Sequence, residues 1–242
     1  MAGHSKWSNI KRKKEKTDSQ KGKMFTKLGR EIAIAVRSGG ADPATNSKLK
    51  DAIAKAKSNN MPNDSIQRSI KKAAGEGDGS TYELINYEGY GPNGVAVIVE
   101  TYTDNRNRTA GDVRHLFDKF GGNLGTTGCV SFMFEMKGQI IIEKNSSTDE
   151  DEIMILALET GAEDFTAEDE YYEILTSPGD FSKVCDELEK AGFEFASAEV
   201  TMLPATYTEL TDSEAVEKME KLIERLEDHD DVQNIWHNWS QD

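Results

Sequence analysis

Several groups of residues in this chain have types and spacings that could do chemistry. Gly121-Gly122-Asn123-Leu124-Gly125-Thr126-Thr127-Gly128 has the glycine density of a phosphate loop. A P-loop, however, ends in Gly-Lys-Ser/Thr and feeds a helix whose N-terminal amides receive the phosphate. Here no lysine is present and a strand pattern follows, so a helix stop and turn is expected. The histidines, His4, His115, His229 and His237, are far apart, with neither an HExxH pattern nor a His/Cys spacing suited to zinc. Asp149-Glu150-Asp151-Glu152 and Glu168-Asp169-Glu170 could supply paired carboxylates, but both fall at helix starts or loops, where negative charge suits the macrodipole and solvent. With no nucleophile elbow, kinase set or dinucleotide fingerprint, no catalytic residue, metal or cofactor is expected. An enzyme with an unrecognised site is the least favoured reading.

The basic residues point elsewhere. Lys6, Lys11, Arg12, Lys13, Lys14 and Lys16 surround Trp7 and Ile10, a pattern that supplies phosphate neutralisation and an indole face on which a base could stack. A solvated tail or a nuclear-localisation cluster would also fit such a run. The charge continues, however, through Lys21, Lys23, Lys27, Arg30, Arg37, Lys48, Lys50, Arg68, Lys71 and Lys72, where a mere tail would have stopped. The expected nucleic-acid contacts are therefore Lys6, Trp7, Lys11, Arg12, Lys13, Lys14, Lys16, Lys21, Lys23, Lys27, Arg30, Arg68, Lys71 and Lys72. Thr103-Asp104-Asn105-Arg106-Asn107-Arg108-Thr109, with Arg114, offers two readings of equal weight. One is a helix N-cap by Asn105 or Asn107, and the other is a secondary phosphate contact by Arg106, Arg108 and Arg114.

Elements must position these groups. Residues 1–20 read as an arm too polar to order itself. Apolar spacing predicts helices from Asp18 or Ser19 to Gly39-Gly40, over Asn46 to Ser58, and over Asn63 to Ala74, followed by a glycine-rich linker at 75–80. A hairpin of Tyr82 to Tyr90 and Val95 to Tyr102 follows, then a helix from Asn107 to Phe120 and a strand from Cys129 to Phe134. The next stretch reads as a strand at Gln139 to Glu143 and a helix near Asp149 to Thr160 with a Ser147/Glu150 capping box. Strands at Glu163 to Thr166 and Tyr171 to Thr176, a helix near Pro178 to Ala191 and a strand from Glu194 to Leu203 complete a ferredoxin-like order. A helix from Ser213 to Leu226, capped by Thr211 and Glu214, and a strand at Val232 to Trp236 could complete the earlier sheet. The expected class is α+β: a basic arm and helical nucleic-acid-binding domain (1–80), a discontinuous middle domain (81–136 with 205–242) and an inserted ferredoxin-like domain (137–204). Two successive domains are the alternative.

Charge divides the 242-residue chain at Ser80. Residues 1–80 hold 18 Lys/Arg against 8 Asp/Glu, a net +10; residues 81–242 hold 11 against 36, a net −25; together they make the overall −15. Surface potentials are screened over roughly 8 Å at physiological salt, so an anionic partner at the first 80 residues would feel mainly their positive field. The first residues lack the apolar h-region of a signal peptide, the two cysteines form no CxxC, and no apolar run is long enough to span a membrane, so a cytoplasmic protein with no membrane partner is expected.

Gly3-His4-Ser5-Lys6-Trp7, Gly22-Lys23-Met24-Phe25-Thr26-Lys27-Leu28, Asn60-Met61-Pro62, Tyr87-Glu88-Gly89-Tyr90-Gly91-Pro92 and Thr103-Asp104-Asn105-Arg106 through Gly121-Gly122-Asn123-Leu124-Gly125, in this order, resemble the YebC/PmpR family over nearly the whole chain. The resemblance implies a three-domain α+β architecture and a role as a transcriptional regulator binding DNA. Relatives linked to translation imply an alternative: a factor on the ribosome, binding ribosomal RNA and relieving stalling at proline-rich sequences. Cys129 departs from the serine or alanine such a position would hold, and packs as a small apolar residue. Oligomeric state and target sequence are not specified by any of these features.

Overall fold

The computed structural model describes residues 7, 10, 18–75, 82–145 and 149–240, without the side chains of 18–21. It is α+β, with a helical region followed by two sheet-containing regions. Helices α1 (Asp18–Gly39), α2 (Ser47–Ser58) and α3 (Asn63–Ala74) enclose Leu28, Ile32, Ala35, Val36, Leu49, Ala52, Ala56, Met61, Ile66 and Ile70. Their apolar residues recur every three to four positions, which puts one stripe of each helix on this core. Asn46, 5 % exposed, ties the first two together. Its side-chain oxygen caps α2 at the Leu49 amide, while its NH2 group donates to the Ala35 and Gly40 carbonyls at 2.7 and 2.8 Å.

Strands β1 (Glu83–Tyr90) and β2 (Ala96–Thr103) form an antiparallel hairpin in register from Glu83 opposite Thr103 to Tyr90 opposite Ala96. Helix α4 (Arg106–Lys119) follows, capped by Asn105, whose side chain accepts from the Arg108 amide. The glycine-rich segment then returns along β1 as a two-residue strand, β3 (Asn123–Leu124). The strand expected from Cys129 to Phe134 is not formed: Ser131–Met133 is a 3-10 turn, and β4 runs unbroken from Phe134 to Glu143. Gly138 lies inside β4 at a close approach, since a Cβ there would lie 2.6 Å from Phe181 Cδ2.

After β4 come α5 (Glu150–Thr160), β5 (Ala162–Ala167), β6 (Tyr171–Thr176), α6 (Phe181–Lys190), β7 (Ser197–Pro204), α7 (Ser213–Asp228) and β8 (Val232–His237). Two four-stranded sheets result, ordered β3-β1-β2-β8 and β5-β6-β4-β7. The second is antiparallel throughout and has the ferredoxin-like strand order. Ile140, Ile142, Tyr172 and Ile174 on one of its faces pack with Ile153 and Ala157 of α5 and Val184 and Leu188 of α6. Because β8 lies beside β2, the second sheet is interposed in sequence between strands of the first.

Two helix caps differ from expectation. Asp149, not a Ser147/Glu150 box, caps α5 by accepting from the Asp151 and Glu152 amides; Ser147 lies outside the described residues. Asp212, not Thr211, caps α7 through the Glu214 and Ala215 amides. A carboxylate serves both purposes at these positions, accepting from open amides and meeting the positive end of the helix. The chain forms two compact units, one of Met1–Glu15, Val130–Leu210 and Trp236–Asp242 and one of Lys16–Cys129 and Thr211–Ile235. Among the described residues no helix is long and apolar enough to cross a membrane.

Candidate nucleic-acid interface

Helices α2 and α3 turn their cationic residues outward. With Ile66 and Ile70 buried, the opposite face of α3 presents Gln67, Arg68, Lys71 and Lys72, all exposed. Lys48, Lys50 and Lys57 are exposed on α2. Among the described residues, Lys48, Lys50, Lys57, Arg68 and Lys71 make no ion pair, so their counterions are small and exchangeable. Polyanions that bind exposed cations release such counterions.

The cations of α1 behave differently. Lys23 pairs with Asp228 at 3.0 Å, Lys27 donates to the Glu227 carbonyl at 2.6 Å, and Arg30 reaches the Asp230 carbonyl and, at 3.0 Å, the Asp231 carboxylate. These partners lie at or just after the C-terminus of α7, where open carbonyls and the helix dipole add to the carboxylate charge. Three residues expected to face phosphates are thus engaged within the chain. The side chain of Lys21, and Lys6, Lys11, Arg12, Lys13, Lys14 and Lys16 altogether, lie outside the described residues.

Trp7 requires a correction. Its ring was expected to be available for stacking on a base, but it is 6 % exposed and packs in a cluster with Ile141 and Tyr171. The ring centroids of Trp7 and Tyr171 are 5.3 Å apart, and the indole N–H donates to Glu170 Oε2 at 3.0 Å.

The arginines at the start of α4 also divide. Arg108, expected as a secondary phosphate contact, binds Asp104 at 2.9 Å and Asp231 at 2.8 Å. Arg106 and Arg114 remain exposed. Asp231, 3 % exposed, is the hub of this region: its carboxylate also accepts from Thr109 at 2.8 Å, Thr103 at 3.3 Å and Arg30. Burial opposes ionisation of Asp231, but the hydrogen bonds from Arg108 and Thr109 and the charges of Arg108 and Arg30 outweigh it and hold the carboxyl below its ordinary range. Asp231 was absent from the expected site residues. Its only signal was acidity in a charged loop, which many residues share.

The glycine amides of the glycine-rich segment are engaged within the chain. The amides of Gly122, Gly125 and Gly128 donate to the Phe117 carbonyl, the Glu88 carbonyl and Glu88 Oε1, each at 2.8 Å. The glycines allow backbones to touch, since a Cβ at Gly122 would lie 2.5 Å from the Tyr90 carbonyl oxygen. Among the described residues no group of three or more His, Cys, Asp or Glu side chains could hold a metal ion.

Comparison with known proteins places these features in context. Residues 5–76 match the model of the TACO1/YebC protein N-terminal domain, and residues 82–239 match that of the TACO1/YebC second and third domain. A protein of Acetivibrio thermocellus named "Probable transcriptional regulatory protein" is 70 % identical over 239 residues, covering 99 % of both chains. One of Ruminiclostridium cellulolyticum with the same name is 66 % identical over 242 residues, covering 100 % of this chain and 98 % of its own. A crystal structure of a conserved hypothetical protein from Aquifex aeolicus is similar with a TM-score of 0.82 and 46 % identity, over 93 % of this chain and 92 % of that one.

Proposed function

The chain belongs to the TACO1/YebC family, and from that premise we propose that it is a non-enzymatic regulator of gene expression, a transcriptional regulator that contacts DNA through its basic N-terminal region. The observation that carries this reading is the set of exposed cations on α2 and α3 that make no ion pair among the described residues, in a chain whose remainder is strongly acidic. In this reading residues 1–80 grip phosphates, with Arg106 and Arg114 as secondary contacts. The middle domain (81–136 with 205–242) and the ferredoxin-like domain (137–204) orient the complex or meet another partner in the cytoplasm. Phosphate contacts position a protein on nucleic acid without reading its sequence, so weak sequence preference and strong salt dependence are expected.

The test is charge reversal. Arg68→Glu with Lys71→Glu, judged folded by circular dichroism, should weaken binding to a DNA duplex at least tenfold. If about five phosphates are neutralised, the wild-type slope of log affinity against log salt should be roughly −4.5, and each reversal should flatten it by about one. Unchanged affinity would remove α3 from the interface, and a slope near zero would end the electrostatic reading. Co-migration with ribosomes in a sucrose gradient, lost at high salt, with no DNA footprint, would replace DNA by ribosomal RNA.

A further inference from the structure

Helix α5 shows solvent a face unlike that of the other helices. It contains no Lys or Arg and is apolar from Ile153 to Leu158. Ile153 and Ala157 pack into the ferredoxin-like core. Ile155 and Leu158, on the opposite side, are 53 % and 46 % exposed; of the large apolar side chains that are exposed among the described residues, they alone lie on a helix. Asp151 and Glu152 precede Ile155 by one turn and Glu159 follows it by one turn, so helical periodicity puts all five side chains on one stripe. Glu150 pairs with Lys144, but Asp151, Glu152 and Glu159 are exposed and make no ion pair or side-chain hydrogen bond among the described residues. Helix α7, also acidic, has the ordinary surface: Glu214 pairs with Lys218 and Glu217 with Lys221, and its exposed residues are polar. An apolar centre with a charged, unpaired border is the anatomy of an interface rather than of a solvated face.

We infer that the outer face of α5 is a docking surface for a cationic amphipathic helix of a partner protein. Aliphatic side chains of that helix cover Ile155 and Leu158, and its Lys or Arg side chains meet Asp151, Glu152 and Glu159. This goes beyond the nucleic-acid reading above, in which the partner of this domain has no stated chemistry. Charge complementarity selects the occupant. Residues 130–210 hold 20 Asp/Glu against 4 Lys/Arg, a net −16, so a nucleic acid or an anionic lipid surface meets repulsion here. A second copy pairing α5 with α5 would set carboxylate against carboxylate, and the other described helices have no exposed large apolar side chain to lay on Ile155 and Leu158. Spacing defines the partner further. Glu152 and Glu159 are one heptad apart, about 10 Å along the axis at about 1.5 Å per residue. A helix with cations one heptad apart, flanking two aliphatic residues three or four apart, matches them. One helix laid on another buries less than the roughly 1,600 Å² of a standard interface, so the association is transient and salt-sensitive.

The experiment measures anisotropy of a fluorescein-labelled three-heptad peptide, with leucine at positions a and d, lysine at e and g and alanine elsewhere, titrated with the full chain. A peptide of the same residues shuffled to remove the period is the control. The periodic peptide should bind about tenfold more tightly than the shuffled one, and less tightly as salt rises. Ile155→Ser with Leu158→Ser, at exposed positions and judged folded by circular dichroism, should weaken binding about tenfold. Asp151→Asn, Glu152→Gln and Glu159→Gln together should weaken it about fivefold and remove most of its salt dependence. Met136→Ser, which removes an exposed apolar side chain elsewhere on the same unit, should change affinity less than about twofold. Absence of binding would overturn the docking surface, and equal binding of the two peptides, or an equal loss from Met136→Ser, would overturn it in favour of general attraction to an acidic protein. Self-association in analytical ultracentrifugation that Ile155→Ser with Leu158→Ser abolishes would overturn it by making a second copy the occupant. The same α5 variants should bind a DNA duplex as wild type does; a loss there would overturn the surface as a change of fold. A wild type that binds the periodic peptide but no duplex would refute the nucleic-acid reading and leave the docking surface standing.

Discussion

Replacing Asp231 by Asn keeps the shape of the side chain and removes its charge, which makes Asp231→Asn a sharp test of what joins α1, β2, α4 and the α7–β8 turn. The carboxylate accepts from Arg30 at 3.0 Å, from Arg108 and Thr109 at 2.8 Å and from Thr103 at 3.3 Å, and its side chain is 4 % exposed. Breaking a buried pair by neutralising one partner costs about 3–5 kcal/mol. That range is an upper bound here, because Arg108 is 47 % exposed and keeps Asp104, so its share belongs with screened surface pairs worth about 0–1 kcal/mol. Arg30, 19 % exposed, loses its carboxylate partner. A net loss of about 2–3 kcal/mol follows, which for a cooperative unit of this size lowers Tm by about 7–10 °C. The pH dependence has a definite sign. The folded carboxyl is held below its ordinary value of 3.8, so the stabilisation is complete above that value and drains away as pH falls through the folded one. Differential scanning calorimetry should therefore find the gap between wild type and Asp231→Asn full at neutral pH and shrinking under acid conditions. A variant melting within about 2 °C of wild type at pH 7, or a gap unchanged in acid, would refute the assignment of this carboxylate as a charged hub.

Two further outcomes test other parts of the fold. Gly138→Ala drives a methyl into Thr176 Oγ1 and to 2.6 Å from Phe181 Cδ2, so it should destabilise the ferredoxin-like unit by about 1–3 kcal/mol, read as a lower urea midpoint; an unchanged midpoint would show that the sheet and α6 separate freely. Burial, then Glu189 and Asp186, push the Cys185 thiol up to about 12, so at pH 8 it should react with iodoacetamide far more slowly in the native chain than in urea; equal rates by mass spectrometry would contradict that environment.

Local pattern was legible where punctuation was clear. Helix α3 runs from Asn63 to Ala74 and β6 from Tyr171 to Thr176, as the apolar periods and their flanking turns imply. Errors arose where a residue type had two physical uses. The strands expected to end at Phe134 and to start at Gln139 are one strand through Gly138, whose missing side chain leaves room for the Phe181 ring. A lone Trp7 in a basic run has no period to mark it as buried, and its partner in the hydrogen bond is 163 positions away. The contacts of Asp231 span 122 to 201 positions, beyond the reach of any window along the chain. Charge segregation was legible, but which cations stay solvated was not. Lys23, Lys27 and Arg30 look the same in sequence as Arg68 and Lys71, and differ because the end of α7 lies beside α1.

The position of β8 also sets an order of events during synthesis. The edge of β2 that it occupies is made about 130 residues earlier, whereas the strands and helices of the ferredoxin-like sheet occupy one continuous stretch. The nascent chain can thus finish the interposed sheet while the flanking one is still open, because closure of that sheet has a high contact order. Until the turn before β8 emerges, Arg30 and Arg108 lack the buried carboxylate that joins them. A chain ending short of Val232 would lose more than an edge strand: its unclosed sheet would offer β2 to other chains, a ready template for aggregation.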